Sequence, residues 1–124
     1  MLSLIVLILL SACKKKNEDV VISLKGKWTA ENIVYNYYDN NVLTHPYNDT
    51  LISTTMDFQN NGNLVIIDAN GTETFPYTIQ AGTKVEFDGS IYEIKNLTAN
   101  AVTLYIREDY APGQYSEYFL NLKR

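Results

Sequence analysis

From Lys27 onward the chain alternates short strand-like runs with turn residues, and this rhythm constrains the fold more than any other feature. Eight runs follow one another, covering 27–38, 52–59, 63–68, 72–80, 83–88, 90–97, 101–108 and 114–123. In most of them large apolar side chains recur at every second position, as a strand with one buried face requires. The pattern predicts an all-β domain with almost no helix.

The turns between these runs predict how the strands connect. Asn61-Gly62, Asn70-Gly71, Ala81-Gly82 and Asp88-Gly89 each separate two runs. Asn-Gly and Asp-Gly pairs tolerate the positive φ angles of tight hairpin turns, so successive strands are expected to run antiparallel. A meander of eight strands closes readily into a barrel, since closure removes its unpaired edges. We therefore expect an eight-stranded antiparallel up-and-down barrel.

Two details of the first strand enter the prediction. Strict alternation places Trp28, Ala30, Asn32 and Val34 on one face of that strand. The strand then leads into 39–50, which is long beside the other turns and is expected to be a loop at one mouth of the barrel. Tyrosines at the end of the strand and within the loop predict an aromatic rim there, where a ring with a polar tip can contact a ligand or a protein.

The N-terminal segment predicts export rather than folding. Residues 1–12 hold an apolar run of about ten residues, too short to span a bilayer and typical of a signal peptide. Leu10-Ser11-Ala12-Cys13 resembles the bacterial lipobox, which implies cleavage before Cys13 and its acylation by fatty acids such as palmitate. Residues 13–23 then form a charged tether, and 24–124 the barrel. Cys13 is the only cysteine, so no internal disulfide is expected.

Composition and side-chain chemistry limit the functions considered. A formal net charge of -4 argues against nucleic acid, whose binding needs a basic face. His45 is the only histidine, and no second histidine or cysteine accompanies it to make a metal or nucleophilic site. The carboxylates at 57, 73, 86, 93 and 117 are expected to face solvent. We therefore predict no enzyme activity, no cofactor and no metal.

The stretch Leu24-Lys25-Gly26-Lys27-Trp28, which holds the only tryptophan, resembles the Gly-x-Trp signature of the lipocalin and calycin superfamily. The later runs, through Tyr118-Phe119-Leu120, are similar to the short lipocalin-like domains of bacterial lipoproteins. The resemblance implies that Trp28 plugs one end of the barrel and that Lys123 or Arg124 packs across it. Gly26, Trp28 and Arg124 are then structural, and a ligand would bind at the opposite mouth.

Two functions remain open at this point. The first is a lipid-anchored barrel of the bacterial cell envelope, in the outer membrane rather than the inner, that binds a small hydrophobic ligand. The expected wall and rim residues are Tyr35, Tyr37, Tyr47, Met56, Phe58 and Tyr77. The second is a barrel filled by its own side chains that binds another envelope protein as an inhibitor or assembly factor. In both, acylated Cys13 contacts membrane lipid.

Overall fold

The computed structural model describes residues 23–51 and 53–124, and these form nine β-strands. The strands are β1 (Gly26–Asp39), β2 (Val42–Thr50), β3 (Thr55–Phe58), β4 (Asn63–Asp68), β5 (Gly71–Gln80), β6 (Lys84–Phe87), β7 (Ser90–Lys95), β8 (Ala101–Ala111) and β9 (Gln114–Lys123). The expected signal peptide, Cys13 and nearly all of the expected tether lie outside the described residues.

Eight of the strands form a closed antiparallel barrel, as the turn pattern predicts. β3 to β9 pair in chain order, and β9 returns to pair with β1 from Thr29 to Tyr38. β1 completes the ring by pairing with β3 over Gly26–Thr29. The end where β1 begins and β9 finishes is called the closed end below, and the end with the β8–β9 turn is called the open end.

The prediction of a loop at 39–50 is wrong. Most of this segment forms β2, an additional strand beyond the eight that the sequence predicts. Asn40 and Asn41 both have positive φ, 51° and 63°, and make a two-residue hairpin turn after β1. β2 then runs back along β1 and pairs with it over Asn32–Asp39. All nine of its residues are exposed, so burial imposes no alternation on it. Pro46, which cannot donate to a ladder, is tolerated because β2 is an edge strand.

A β-bulge at Glu31 changes the predicted face of β1. Ala30 lies opposite Leu122, but Asn32 lies opposite Asn121, so Glu31 is an extra residue. Trp28 and Ala30 face the core as predicted. Asn32 and Val34 do not, because after the bulge it is Ile33 that packs against the core. The Glu31 carbonyl accepts a hydrogen bond from the Leu51 amide at 2.9 Å, where β1 exchanges β3 for β2 as its partner.

The closed half of the barrel is filled by its own side chains. Its largest fully buried groups are Trp28, Phe58, Leu64, Leu104, Leu122 and Val85. The Trp28 indole N–H donates to the Leu24 carbonyl at 2.7 Å, so burying the ring leaves no unsatisfied donor. The Arg124 guanidinium lies over the Trp28 ring, 3.9 Å from its centroid. The contact implied by the lipocalin resemblance is thus present, made by Arg124 rather than Lys123.

Candidate functional site

The candidate site lies at the open end, where four strands continue past their other neighbours. β3 pairs with β1 only as far as Thr29, and β7 pairs with β8 only as far as Tyr105. Beyond those points β2, β1, β9 and β8 form a four-stranded extension of the barrel wall. Cross-strand registers place its inner face in rows, because directly opposed residues of antiparallel strands point to the same side.

This inner face, called the mouth face below, carries tyrosines and polar groups. One row consists of Tyr47, Tyr35, Tyr118 and Ile106. The row farther from the core consists of His45, Tyr37, Ser116 and Glu108. Tyr110 joins the same face through its hydroxyl, which lies 3.0 Å from the Ser116 hydroxyl and donates to Glu108 Oε2 at 3.1 Å.

Below the mouth face, the barrel interior contains a cavity of about 240 Å³. The lining of this cavity, called the lower cavity below, includes large apolar or aromatic groups from six strands: Ile33, Met56, Ile66, Phe87, Tyr92 and Tyr118. A second cavity of about 190 Å³, nearer the mouth face and called the upper cavity below, is lined by Tyr35, Ser90, Tyr92, Ile106, Glu108 and Tyr118. Since Tyr92 and Tyr118 line both, the two cavities adjoin, and together they lead from the mouth face toward the core.

Aromatic contacts hold the walls of these cavities in place. The Tyr92 ring stacks on Phe87, with centroids 4.7 Å apart, and is 6.5 Å from the Tyr118 ring. Burial raises the pKa of Tyr92, a hydrogen bond with Ser90 opposes the rise, and the charges of Asp88 and Glu108 add to it. Burial likewise raises the pKa of Tyr118. Both phenols therefore stay neutral at physiological pH.

A larger depression, about 450 Å³, lies outside the barrel at the Glu31 bulge. Its lining includes Glu31, Asn48, Thr50 and Lys123, most of them well exposed polar residues. Specific small-molecule sites are concave and mostly apolar, with a few placed polar groups. The interior cavities match that description better than the outer depression, although they are smaller.

The structure brings together four of the six predicted wall and rim residues. Tyr35 lines the upper cavity, Met56 lines the lower one, and Tyr37 and Tyr47 lie in the rows of the mouth face. Phe58 and Tyr77 instead pack in the closed half, with ring centroids 5.2 Å apart at 86°. The Tyr77 hydroxyl donates to the Gln59 carbonyl at 2.5 Å there. These two residues are therefore part of the packed core.

Several residues of the site are absent from the sequence-based list, notably Tyr92, Tyr118, Glu108 and Tyr110. Tyr92 and Tyr118 follow the period of two, but the sequence pattern does not tell which end of the barrel an inward residue occupies. Glu73 is exposed to solvent as predicted, but the outward phase assigned to it is wrong. It lies directly opposite cavity-lining Ile66, so it belongs to the inner face at the rim.

His45 and Ser116 share a row of the mouth face but lie two strands apart, with Tyr37 between them. Strands are about 4.8 Å apart, so the two side chains are not neighbours. His45 Nδ1 lies 3.0 Å from the Thr44 hydroxyl instead. In the described part of the chain, no three His, Cys, Asp or Glu side chains are grouped to hold a metal ion. The same residues include no helix long and apolar enough to cross a membrane.

Comparisons with known proteins identified no relative of this chain. No protein-family model, no curated protein and no solved structure matches the chain. The geometry of the open end is therefore the main indication of what this protein binds.

Proposed function

We propose that this protein is a lipid-anchored, lipocalin-like lipoprotein of the bacterial envelope that binds a small hydrophobic or amphipathic ligand at the open end of its barrel. The observation that carries the proposal is the interior cavity of about 240 Å³ beneath the mouth face. An eight-stranded barrel is just wide enough to hold one small ligand, and apolar walls with a few polar groups suit such a ligand.

The contrast between the two halves of the barrel supports this proposal. The closed half is filled by fully buried side chains, and Arg124 covers Trp28 at its end. The open half instead has half-buried Ile33, Ile66, Tyr92 and Tyr118 around the cavity. Protein interiors are normally packed to the density of organic crystals. Apolar and aromatic groups left around a space of this size are therefore a reason to expect an occupant.

The envelope location and the anchor belong to the same proposal and rest on the sequence. Leu10-Ser11-Ala12-Cys13 resembles the lipobox, and the following Lys14-Lys15-Lys16-Asn17-Glu18-Asp19 suits a solvated tether. Each buried CH₂ of an acyl chain contributes about 0.8 kcal/mol, so a multiply acylated cysteine anchors firmly. We propose the outer membrane rather than the inner one.

Native mass spectrometry of the full protein, released gently from its own membrane, tests both parts. We expect a chain that starts at acylated Cys13 and carries the mass of one small molecule. Ile66→Trp fills the cavity and should remove that extra mass, whereas Ile67→Trp, on the adjacent outward position, should keep it. Overpacking costs about 1–3 kcal/mol, so thermal unfolding of both variants confirms that they remain folded. An empty wild-type barrel, or extra mass retained in Ile66→Trp, contradicts ligand binding.

A second function, docking of an envelope protein, is favoured by one specific observation. Val42, Leu43 and Tyr47 on β2 are 62%, 43% and 57% exposed, an unusual concentration of large apolar groups on one strand. Exposed apolar patches often mark interaction surfaces. Crosslinking in intact cells tests this function: one defined envelope protein should attach near Leu43 in the wild type and be lost in Val42→Ser/Leu43→Ser. Absence of any such product would leave the ligand-binding proposal alone.

A further inference from the structure

The charge of the cavities at the open end narrows the class of ligand. The upper cavity has the acidic residue Glu108 in its lining, and the lower cavity has Asp68. Neither lining contains a lysine, an arginine or a histidine. Any charged group that a ligand brings into these cavities therefore meets carboxylates and no cation from the described protein residues.

The lysine and arginine side chains of residues 23–51 and 53–124 lie elsewhere, and His45, on the mouth face, is outside the lining of both cavities. Arg124 is bound at the closed end, Lys95 and Arg107 lie over the outer-face rings of Tyr105 and Tyr115, and Lys123 is 3.9 Å from Glu31. Lys84 lines a groove on the outer side of β8 together with Arg107. Lys25 and Lys27 belong to the beginning of the barrel at the closed end.

Further carboxylates surround the same opening. Glu73 is opposite cavity-lining Ile66, and Asp49 is opposite cavity-lining Ile33, so both belong to the inner face. Burial is the main reason that the pKa of Tyr92 is raised, and after the opposing hydrogen bond with Ser90 the charges of Asp88 and Glu108 add to the rise. The open end is thus a region of negative potential with low-dielectric walls, which attracts cations.

The aromatic rings add a second, independent attraction for a cation. Tyr35, Tyr92 and Tyr118 line the same cavity as Glu108. The Tyr92 and Tyr118 centroids are 6.5 Å apart and their planes are tilted by 56°, so a group in the cavity that contacts one ring lies close to the other. Ring faces attract ammonium groups within about 6 Å of the centroid, and most strongly where water is partly excluded.

We propose that the ligand is a cationic amphiphile. This proposal rests on the ligand-binding function proposed above. Its ammonium group lies among the three tyrosine rings and Glu108, and its short apolar body enters the cavity of about 240 Å³ below. That volume corresponds to about eight water molecules, which matches a short alkyl chain better than a long lipid tail. A fatty-acid carboxylate would be repelled by the same acidic groups.

Isothermal titration calorimetry of the full protein in lipid nanodiscs tests whether the ligand is cationic. Titrations of empty nanodiscs measure how much probe partitions into the lipid, and this signal is subtracted. The probes are hexylammonium, hexanol and hexanoate at neutral pH, which share one apolar body and differ in charge. We expect hexylammonium to bind about tenfold or more tighter than hexanol, because both the rings and Glu108 favour the cation, and hexanoate to bind most weakly.

A matched pair of variants, with a third at one of the rings, tests whether the preference for the cation arises in the upper cavity. Glu108→Gln removes one charge from the upper cavity, and should reduce the preference for hexylammonium over hexanol at least several-fold. Glu86→Gln removes one charge from the outer phase of β6, and should change neither affinity. Tyr35→Leu should weaken hexylammonium more than hexanol, which separates the ring contribution from that of the carboxylate.

The outcomes distinguish this proposal from the function on which it rests. Equal or tighter binding of hexanol or hexanoate overturns the cationic class and leaves ligand binding in place. Equal effects of Glu108→Gln and Glu86→Gln also overturn it, since the preference would then reflect net charge. If none of the three probes binds, the proposal fails together with the ligand-binding function.

Discussion

The Arg124 guanidinium carbon lies 3.9 Å from the centroid of the Trp28 ring, which joins the last residue of the chain to the beginning of β1. The same guanidinium donates to the backbone carbonyls of Ala99, Lys25 and Ser23 at 2.9, 2.9 and 3.0 Å. One side chain thus ties β1, β9 and the β7–β8 turn together at the closed end. This leaves the open end as the side from which the interior cavities are reached.

Arg124→Ala should lower the free energy of unfolding by about 1–3 kcal/mol, because it removes a cation–π contact and three charge-assisted hydrogen bonds from a partly solvated position. Lys123→Ala is the matched control. Its ammonium is 3.9 Å from Glu31 with both side chains exposed, so its loss should cost no more than about 1 kcal/mol. Urea unfolding of both variants measures the difference, and equal losses would contradict the role assigned to Arg124.

Gly26→Ala should also destabilise the closed end, by about 1–3 kcal/mol. Gly26 has a φ of +116°, and a Cβ there would lie 3.1 Å from Arg124 Nη1. The backbone strain is intrinsic to the position, whereas the contact depends on Arg124. In the double variant with Arg124→Ala, the combined loss measured by urea unfolding should be smaller than the sum of the single losses. Strict additivity would show that the contact contributes nothing.

A line of polar side chains across four strands offers a further test on the outer face. Thr103 donates to Asn121 at 2.7 Å, Asn121 donates to Asn32 at 3.1 Å, and Asn32 donates to Asn48 at 3.1 Å. Asn121→Ala breaks two of these bonds and should cost about 1–2 kcal/mol in urea unfolding. Asn48→Ala, at the exposed end, should cost less than about 0.5 kcal/mol. The reverse order would contradict a continuous line.

Phe58→Ala should act on stability and not on the ligand. Phe58 is 0% exposed in the closed half and contacts Tyr77 edge-on, so the truncation leaves a cavity in packed core and should cost about 3–5 kcal/mol. Chemical denaturation measures that loss. At temperatures where the variant is folded, ligand mass in native spectra should equal that of the wild type. Loss of ligand from a folded Phe58→Ala protein would return Phe58 to the binding site.

Alkaline pH should destabilise the barrel. Burial raises the pKa values of Tyr77, Tyr92, Tyr105 and Tyr118 above the ordinary value of 10.0. The unfolded chain therefore loses these protons first, so their stabilising contribution is intact below pH 10 and declines as pH rises through the folded-state pKa values. Urea unfolding across this range, with tyrosinate absorbance, should show that decline. Tyr92→Phe should reduce it, and Tyr47→Phe, at an exposed position, should not.

Much of the barrel could be predicted because local chemistry and burial act in the same direction. Gly62 and the Asp88-Gly89 pair all have the positive φ expected at hairpin turns, and β3 to β9 pair as sequential hairpins. The period of two correctly indicated inward residues such as Met56, Leu64 and Val85. The site was less predictable. Alternation at every second position identifies inward residues, but it does not distinguish those that pack in the core from those that line a cavity.

β2 and the Glu31 bulge could not be predicted from the pattern. β2 is exposed along its whole length, so no alternation indicates a strand, and Pro46 within it suggests a loop. The bulge reverses the phase of β1, and it occurs where β1 changes from pairing with β3 to pairing with β2. Its position coincides with the point where β2 replaces β3 along one edge of β1 while β9 pairs along the other edge, a non-local condition that no short stretch of sequence contains.

The sequence by itself determined the all-β class and the order of the hairpins, because turn residues and alternating burial are local consequences of side-chain chemistry. Only the tertiary structure decided that Glu31 is bulged and that Tyr35 therefore faces inward. It also decided that Glu108, Glu73 and Asp49 share the inner face with the tyrosines. Such groupings arise from register across strands distant in sequence, and closure of the barrel sets that register.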